Sequence, residues 1–194
     1  MLGGSAFSRW ILGGLWTGAV SSLCFLSPVE APAAEPPDAA TAGDCTSLPP
    51  ALSREVVAWR GAAQAARAGA AADSAPVVGA GRRYGLVLVP GQQVALRIVP
   101  RRGTPQAGSY GGFVAIQSGP DGAYRVSLSE RAWVELIADA SGAAAQAAQS
   151  DVRLRCAGIA KNLSFELAAQ TRYLLQLSGA ERESVDVMVF PPAE

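Results

Sequence analysis

Histidine is absent from this chain of 194 residues. Histidine is the side chain that titrates near neutral pH, and it is the commonest metal ligand in proteins. Its absence excludes the Ser-His-Asp and Cys-His arrangements of nucleophilic catalysis. It also excludes zinc and iron sites built on imidazole. We therefore expect no metal site, no cofactor and no enzymatic activity.

An excess of charge of either sign is also missing, because 16 basic residues balance 16 acidic ones. Proteins that bind nucleic acid usually carry a basic excess. The composition therefore predicts no nucleic-acid partner. Lysine is nearly absent as well, and Lys161 is the only one.

The longest apolar run is short for a membrane span. It covers 16 residues, Ile11–Leu26, whereas a spanning helix needs about 20. Arg9 precedes the run and Ala31-Pro32-Ala33 follows it, which is the order of charge, apolar core and small-x-small site in a secretory signal peptide. We predict a signal peptide at residues 1–33 and a periplasmic or secreted protein. The alternative is an uncleaved membrane anchor, and only in that case is the membrane a partner.

Cysteine is scarce, with three residues in the chain. Cys24 leaves with the predicted signal peptide, and Cys45 and Cys156 remain. In an oxidising compartment such a pair predicts a disulfide. The bond would close a loop of about 110 residues, worth about 4–5 kcal/mol in the chain-entropy model. Two free thiols or an intermolecular bridge are the alternatives.

Composition divides the rest of the chain into two parts. Residues 34–50 are rich in Pro and Ala, which predicts a linker. Residues 51–194 are long enough for a single domain with its own core. Ser53 can cap a helix at 53–60, which in its longer version runs to Arg67. Trp59 on that helix is predicted to be a packing anchor.

Alternating apolar residues predict a mainly β fold beyond the helix. The architecture indicated is an antiparallel β-sandwich or jelly roll of about eight strands with one N-terminal helix. A Tyr-x-x-x-Leu pattern begins three of these strands, and we interpret it as the start of a core strand. The predicted strands are 84–88, 94–98, 113–117, 124–128, 132–138, 163–167, 173–177 and 185–189.

Acidic pairs and a Ser-Lys dyad are the catalytic options left without histidine. Glu135 and Asp139 share a strand face, but four residues separate them by about 13 Å. That is wider than the roughly 5–9.5 Å of glycosidase pairs. Lys161 and Ser164 lie three residues apart, which places them on opposite strand faces. Asn162-Leu163-Ser164 matches the N-glycosylation pattern.

Trp133 is the strongest binding candidate. It alternates with Val134 and Leu136, so it points outward if those two residues belong to the core. An exposed Trp133 beside Tyr110, Arg101 and Arg102 would form a platform for a sugar or a peptide. The alternative is that Trp133 packs under the helix or under residues 140–151.

Two resemblances extend this interpretation. The phrases 122–128 (Gly-Ala-Tyr-Arg-Val-Ser-Leu) and 171–177 (Thr-Arg-Tyr-Leu-Leu-Gln-Leu) resemble the bacterial pre-peptidase C-terminal type of β-sandwich. Ala132-Trp133-Val134 and the segment 156–161 (Cys-Ala-Gly-Ile-Ala-Lys) resemble small uncharacterised periplasmic proteins of proteobacteria, over residues 80–190. Neither resemblance implies catalytic residues for this chain.

The function that we expect is that of an exported periplasmic β-sandwich binding module without a catalytic site, which binds a protein or glycan partner. One alternative is an accessory or structural subunit of a cell-envelope complex. A more remote alternative is a carboxylate-based hydrolase.

Overall fold

The structure is a computed structural model that describes Cys45 and residues 48–100, 106–150 and 153–192. The predicted signal peptide, the predicted linker up to its last residues, and the candidates Arg101 and Arg102 lie outside the described residues, Cys45 excepted. The described part contains one α-helix, α1 (Pro50–Trp59), and eleven strands. The strands are β1 (Gln64–Arg67), β2 (Val77–Val78), β3 (Arg83–Val87), β4 (Val89–Pro90), β5 (Tyr110–Gln117), β6 (Gly122–Leu128), β7 (Trp133–Ala138), β8 (Ala147–Ser150), β9 (Lys161–Leu167), β10 (Arg172–Ala180) and β11 (Ser184–Phe190).

The strands form two sheets. The first has six strands in the order β1-β3-β11-β6-β9-β8. The second has the order β2-β5-β10-β7, with β4 also paired to β5. Two pairs, β1–β3 and β2–β5, are parallel, and the remaining strand pairs are antiparallel. The predicted mainly β sandwich with one helix is confirmed, with mixed rather than purely antiparallel sheets.

The main core lies between the two sheets, where alternate residues of each strand point inward. The six-stranded sheet contributes side chains such as Leu86, Val126, Phe165 and Val187. The five-stranded sheet contributes Val114, Ile116, Leu136, Tyr173, Leu175 and Leu177. Seven of the eight predicted strands are present, because their period-two patterns correspond to these inward rows.

The Tyr-x-x-x-Leu strands share a hydrogen bond that explains the tyrosine. In each case the phenol oxygen accepts from the backbone N–H five residues earlier. The donors are Gly79 to Tyr84 at 2.9 Å, Gly119 to Tyr124 at 2.9 Å, and Ala168 to Tyr173 at 3.0 Å. Each tyrosine therefore fixes the turn that precedes its strand, as a tyrosine corner does in other sandwiches.

The predicted strand at 94–98 is wrong. Residues 91–93 form a 3-10 turn, and the backbone after them pairs with a side chain rather than with a strand. The buried Gln176 amide accepts from the N–H groups of Arg97 and Ile98, at 2.8 and 3.2 Å, and donates to the Ile98 carbonyl at 2.7 Å. Val94 and Ile98 pack on the outer face of the five-stranded sheet. The alternation therefore marks a covering segment.

Helix α1 begins at Pro50, three residues before the predicted cap. Ser53 lies inside the helix, and its hydroxyl donates to the Leu48 carbonyl at 3.1 Å. The helix ends at Trp59, and the alanine-rich continuation forms strand β1 because it pairs with β3. Trp59 is buried against Met188 on the outer face of the six-stranded sheet, which confirms its role as a packing anchor.

The predicted disulfide is confirmed. Cys45 and Cys156 are bonded, with their Cα atoms 5.6 Å apart and a sequence separation of 111. Cys45 packs against the hydrophobic cluster under α1. The bond therefore holds the chain just before α1 onto the 3-10 turn Arg153–Ala157.

We predict no reactive thiol at Cys45 or Cys156 in the purified chain under denaturing, non-reducing conditions. The double variant Cys45→Ala/Cys156→Ala should lose about 4–5 kcal/mol of unfolding free energy, because the unfolded chain regains the entropy of a long open loop. Thiol titration and urea unfolding measure the two quantities. Two reactive thiols from these positions would contradict the prediction.

Candidate functional site

Trp133 is the first residue of β7, at an edge of the five-stranded sheet. Val134 and Leu136 point into the core, so Trp133 points outward, and 39% of the residue is exposed. It stands opposite Ser178 on β10. Its indole also lies against Gly179, where an added Cβ would approach ring atom Cδ1 to 2.8 Å. Gly179, with a φ of +69°, thus leaves the space that the ring occupies.

Lys161 brings a positive charge to this ring from the other sheet. It is the first residue of β9, and its ammonium group donates to the Ala132 carbonyl at 2.6 Å. The Nζ atom lies 5.6 Å from the centre of the Trp133 ring, within the range of a cation–π contact. We call Trp133, Lys161 and the neighbouring Glu135 the Trp133 surface.

Burial and Glu135 act on Lys161 in opposite directions. Desolvation is the larger effect and lowers the pKa of the Lys161 ammonium below 10.5, because partial burial penalises the charged form. The nearby Glu135 carboxylate opposes this by raising the pKa. The lysine is thus held against protein rather than extended into water.

The structure does not bring all the predicted binding residues together. Tyr110 begins β5 and packs against the core between the sheets, whereas Trp133 lies on the outer face of the same sheet. The two rings therefore do not form one platform. Arg101 and Arg102 lie outside the described residues, so their place beside Trp133 stays a prediction.

Glu135 and Asp139, the two carboxylates considered as a catalytic pair, interact with different basic residues. Asp139 binds two arginines, Arg97 at 3.3 Å and Arg172 at 3.0 Å, while Glu135 interacts electrostatically with Lys161. In the described ranges, no group of three or more His, Cys, Asp or Glu residues could hold a metal ion.

In the same ranges, no helix combines the length and the apolar character needed to cross a bilayer.

A buried polar cluster lies beneath α1, and the sequence analysis missed it. Glu55 is fully buried, and its carboxylate accepts from Arg125 Nε and from the Ser127 hydroxyl. Asn162 Nδ2 donates to Glu55 at 2.6 Å and to Ser127 at 2.7 Å. Arg125 also donates to the Ala51 carbonyl at 3.2 Å. These bonds join the helix to the neighbouring strands β6 and β9.

One signal in the sequence marks this cluster. Glu55 occupies the apolar stripe of α1, because Leu52, Glu55, Val56 and Trp59 follow the i, i+3, i+4, i+7 spacing. A lone carboxylate on a buried stripe requires partners. Ser127 and Asn162 are also buried, so a substrate has no access to the hydroxyl and an oligosaccharide transferase has none to the asparagine. The cluster is a structural one.

No family model and no curated protein matches this chain. The resemblances to pre-peptidase C-terminal sandwiches and to small periplasmic proteins therefore stay predictions that rest on their own residues.

We predict that Glu55→Ala destabilises the fold by about 3–5 kcal/mol, because it leaves the Arg125 guanidinium without its buried counter-charge. Urea unfolding measures the change. Glu166→Ala is the matched control, since Glu166 is an exposed residue of β9 and should change stability by no more than about 0.5 kcal/mol. A loss below about 1 kcal/mol for Glu55→Ala would contradict this account.

We also predict that the Lys161 amine titrates below 10.5. Because the chain has one lysine, ¹³C-lysine labelling gives a single ε-carbon signal that reports the titration directly. Glu135→Gln should lower the midpoint further, since it removes the negative charge that favours the ammonium form. Glu166→Gln should leave the midpoint unchanged. A midpoint at or above 10.5 in the unsubstituted protein would show that desolvation is not the dominant effect.

Proposed function

We propose that this chain is an exported, non-catalytic β-sandwich module that binds a glycan at the Trp133 surface. The exported state rests on the signal-peptide pattern of residues 1–33, and it agrees with the Cys45–Cys156 bond. Binding rather than catalysis rests on the missing histidine and on the engagement of Asp139 by two arginines.

The observation that carries the proposal is the exposure of Trp133. Among the described residues, it is the aromatic residue that is most exposed to solvent. An indole offers a large rigid face at low entropic cost, and the CH face of a sugar ring packs on such a surface. Gly179 supports the ring from the sheet, and Lys161 lies beside it.

We predict that Trp133→Ala weakens glycan binding by at least about tenfold, as loss of a central aromatic anchor does. Affinity electrophoresis through gels that contain dextran, galactan or glucomannan measures retardation of the protein. Val77→Ala is the matched control, since Val77 is 64% exposed on the opposite edge of the same sheet. Retardation that survives Trp133→Ala, or no retardation of the unsubstituted protein by any polysaccharide, would overturn the glycan proposal.

A protein partner is the second candidate, and strand β1 favours it. This strand is an edge of the six-stranded sheet, and three of its four residues are exposed. An open edge of this kind can accept a strand from another chain. An accessory subunit of an envelope complex would yield a specific cross-link from β1 in intact cells. A glycan module would yield none.

A further inference from the structure

An open cleft lies near the Trp133 surface. It has a volume of about 310 Å³ and is lined by Arg131, Arg155, Gly158, Ile159 and Ala160, so its size is at the lower end of the range for small-molecule sites. Arg131 lies in the turn between β6 and β7, and Gly158, Ile159 and Ala160 lead into β9. Ala160 directly precedes Lys161, which links the cleft to the ring of Trp133.

The described lining of the cleft carries two positive charges and no carboxylate. Arg131 and Arg155 are both exposed, and the described part of the chain provides no ion pair for either. Glu130, the acidic neighbour of Arg131, is engaged elsewhere. Its carboxylate accepts from the Glu181 and Arg182 N–H groups at 2.9 and 3.1 Å, in the turn between β10 and β11.

The lining also has an apolar component. Ile159 is buried and Ala160 is half-buried, and both line the cleft. Gly158 has a φ of +77°, and an added Cβ there would meet no atom within 4 Å. Guanidinium groups bind carboxylates through paired, charge-assisted hydrogen bonds. A lining that combines two arginines with apolar residues therefore suits a ring that carries a carboxylate.

We propose that this cleft is an anion subsite of the Trp133 surface, and that it makes the module selective for acidic saccharides, whose uronate carboxylate is bound between Arg131 and Arg155. This inference rests on the proposed function, because the neutral part of the saccharide contacts Trp133. Lys161 follows the lining residue Ala160 in sequence and lies 5.6 Å from the centre of the Trp133 ring.

The test uses the purified full chain and two forms of one polymer, de-esterified and fully methyl-esterified homogalacturonan. The two share the same polysaccharide backbone, and each carboxyl is a charged carboxylate in the first and a neutral methyl ester in the second. The unsubstituted protein should bind the free acid at least about tenfold more tightly at low salt, and the advantage should fall as salt rises. Arg131→Gln/Arg155→Gln should reduce free-acid affinity to that of the ester and leave ester affinity unchanged.

Arg82→Gln is the matched control, since Arg82 is an exposed arginine before β3, three strands away from β9, and it should keep the preference for the free acid. Thermal unfolding checks that each variant is folded. Equal binding of the two polymers by the unsubstituted protein would overturn the subsite and leave the glycan function standing. A preference for the free acid that survives the double arginine variant would also overturn the subsite.

The two proposals fail in different ways. If Trp133→Ala leaves free-acid binding intact while Arg131→Gln/Arg155→Gln abolishes it, the anion subsite stands and the role of the Trp133 surface is overturned. If the unsubstituted protein binds neither polymer, both proposals are overturned for this ligand class. Competition by poly-glutamate as strong as that by the uronate polymer would assign the cleft to acidic peptides and overturn the saccharide assignment.

Discussion

The buried carboxylate of Glu55 is the constraint on which the arrangement of the domain depends. A charge removed from water costs several kcal/mol unless partners surround it, and its partners lie on β6 and β9. Helix α1 can therefore dock in only one position on the six-stranded sheet, where Arg125, Ser127 and Asn162 reach the carboxylate together. The Cys45–Cys156 bond holds the chain on either side of the same contact. The helix thereby covers the outer face of the six-stranded sheet.

The outer face of the five-stranded sheet is covered by an irregular segment of chain rather than by a helix. Gln176 uses its amide to bind the backbone of Arg97 and Ile98, so a segment without strand partners lies across Phe113 and Leu174. This cover leaves the end of the sheet at Trp133 exposed. The starts of β7 and β9 meet there, since Lys161 contacts the Ala132 carbonyl and the Trp133 ring. The cleft is lined by Arg131 and Ala160, which precede these two strands in sequence.

The alternating patterns predicted the sandwich and seven strands, because alternate residues of each strand form a continuous apolar row toward the core. The patterns failed where a side chain or a neighbouring strand supplied the hydrogen bonds. Residues 94–98 alternate but pair with Gln176, and alanine-rich β1 is extended because β3 binds it. The alternation left open whether Trp133 is exposed or packed, because it indicates only which face of the strand the ring occupies. The partners of Glu55 were missed because 70 or more residues separate them from it in sequence.

The same reasoning explains why a chain of zero net charge can still present a basic site. Net charge counts every group equally, whereas at physiological ionic strength an exposed charge acts only over about 8 Å. Four carboxylates, those of Glu55, Glu130, Asp139 and Asp186, are already bound to arginines of the fold. These carboxylates form ion pairs within the fold, and none of them lines the cleft. Among the described residues, Arg131 and Arg155 are the charged side chains that line the cleft, and a ligand there meets them before it meets the average charge of the protein.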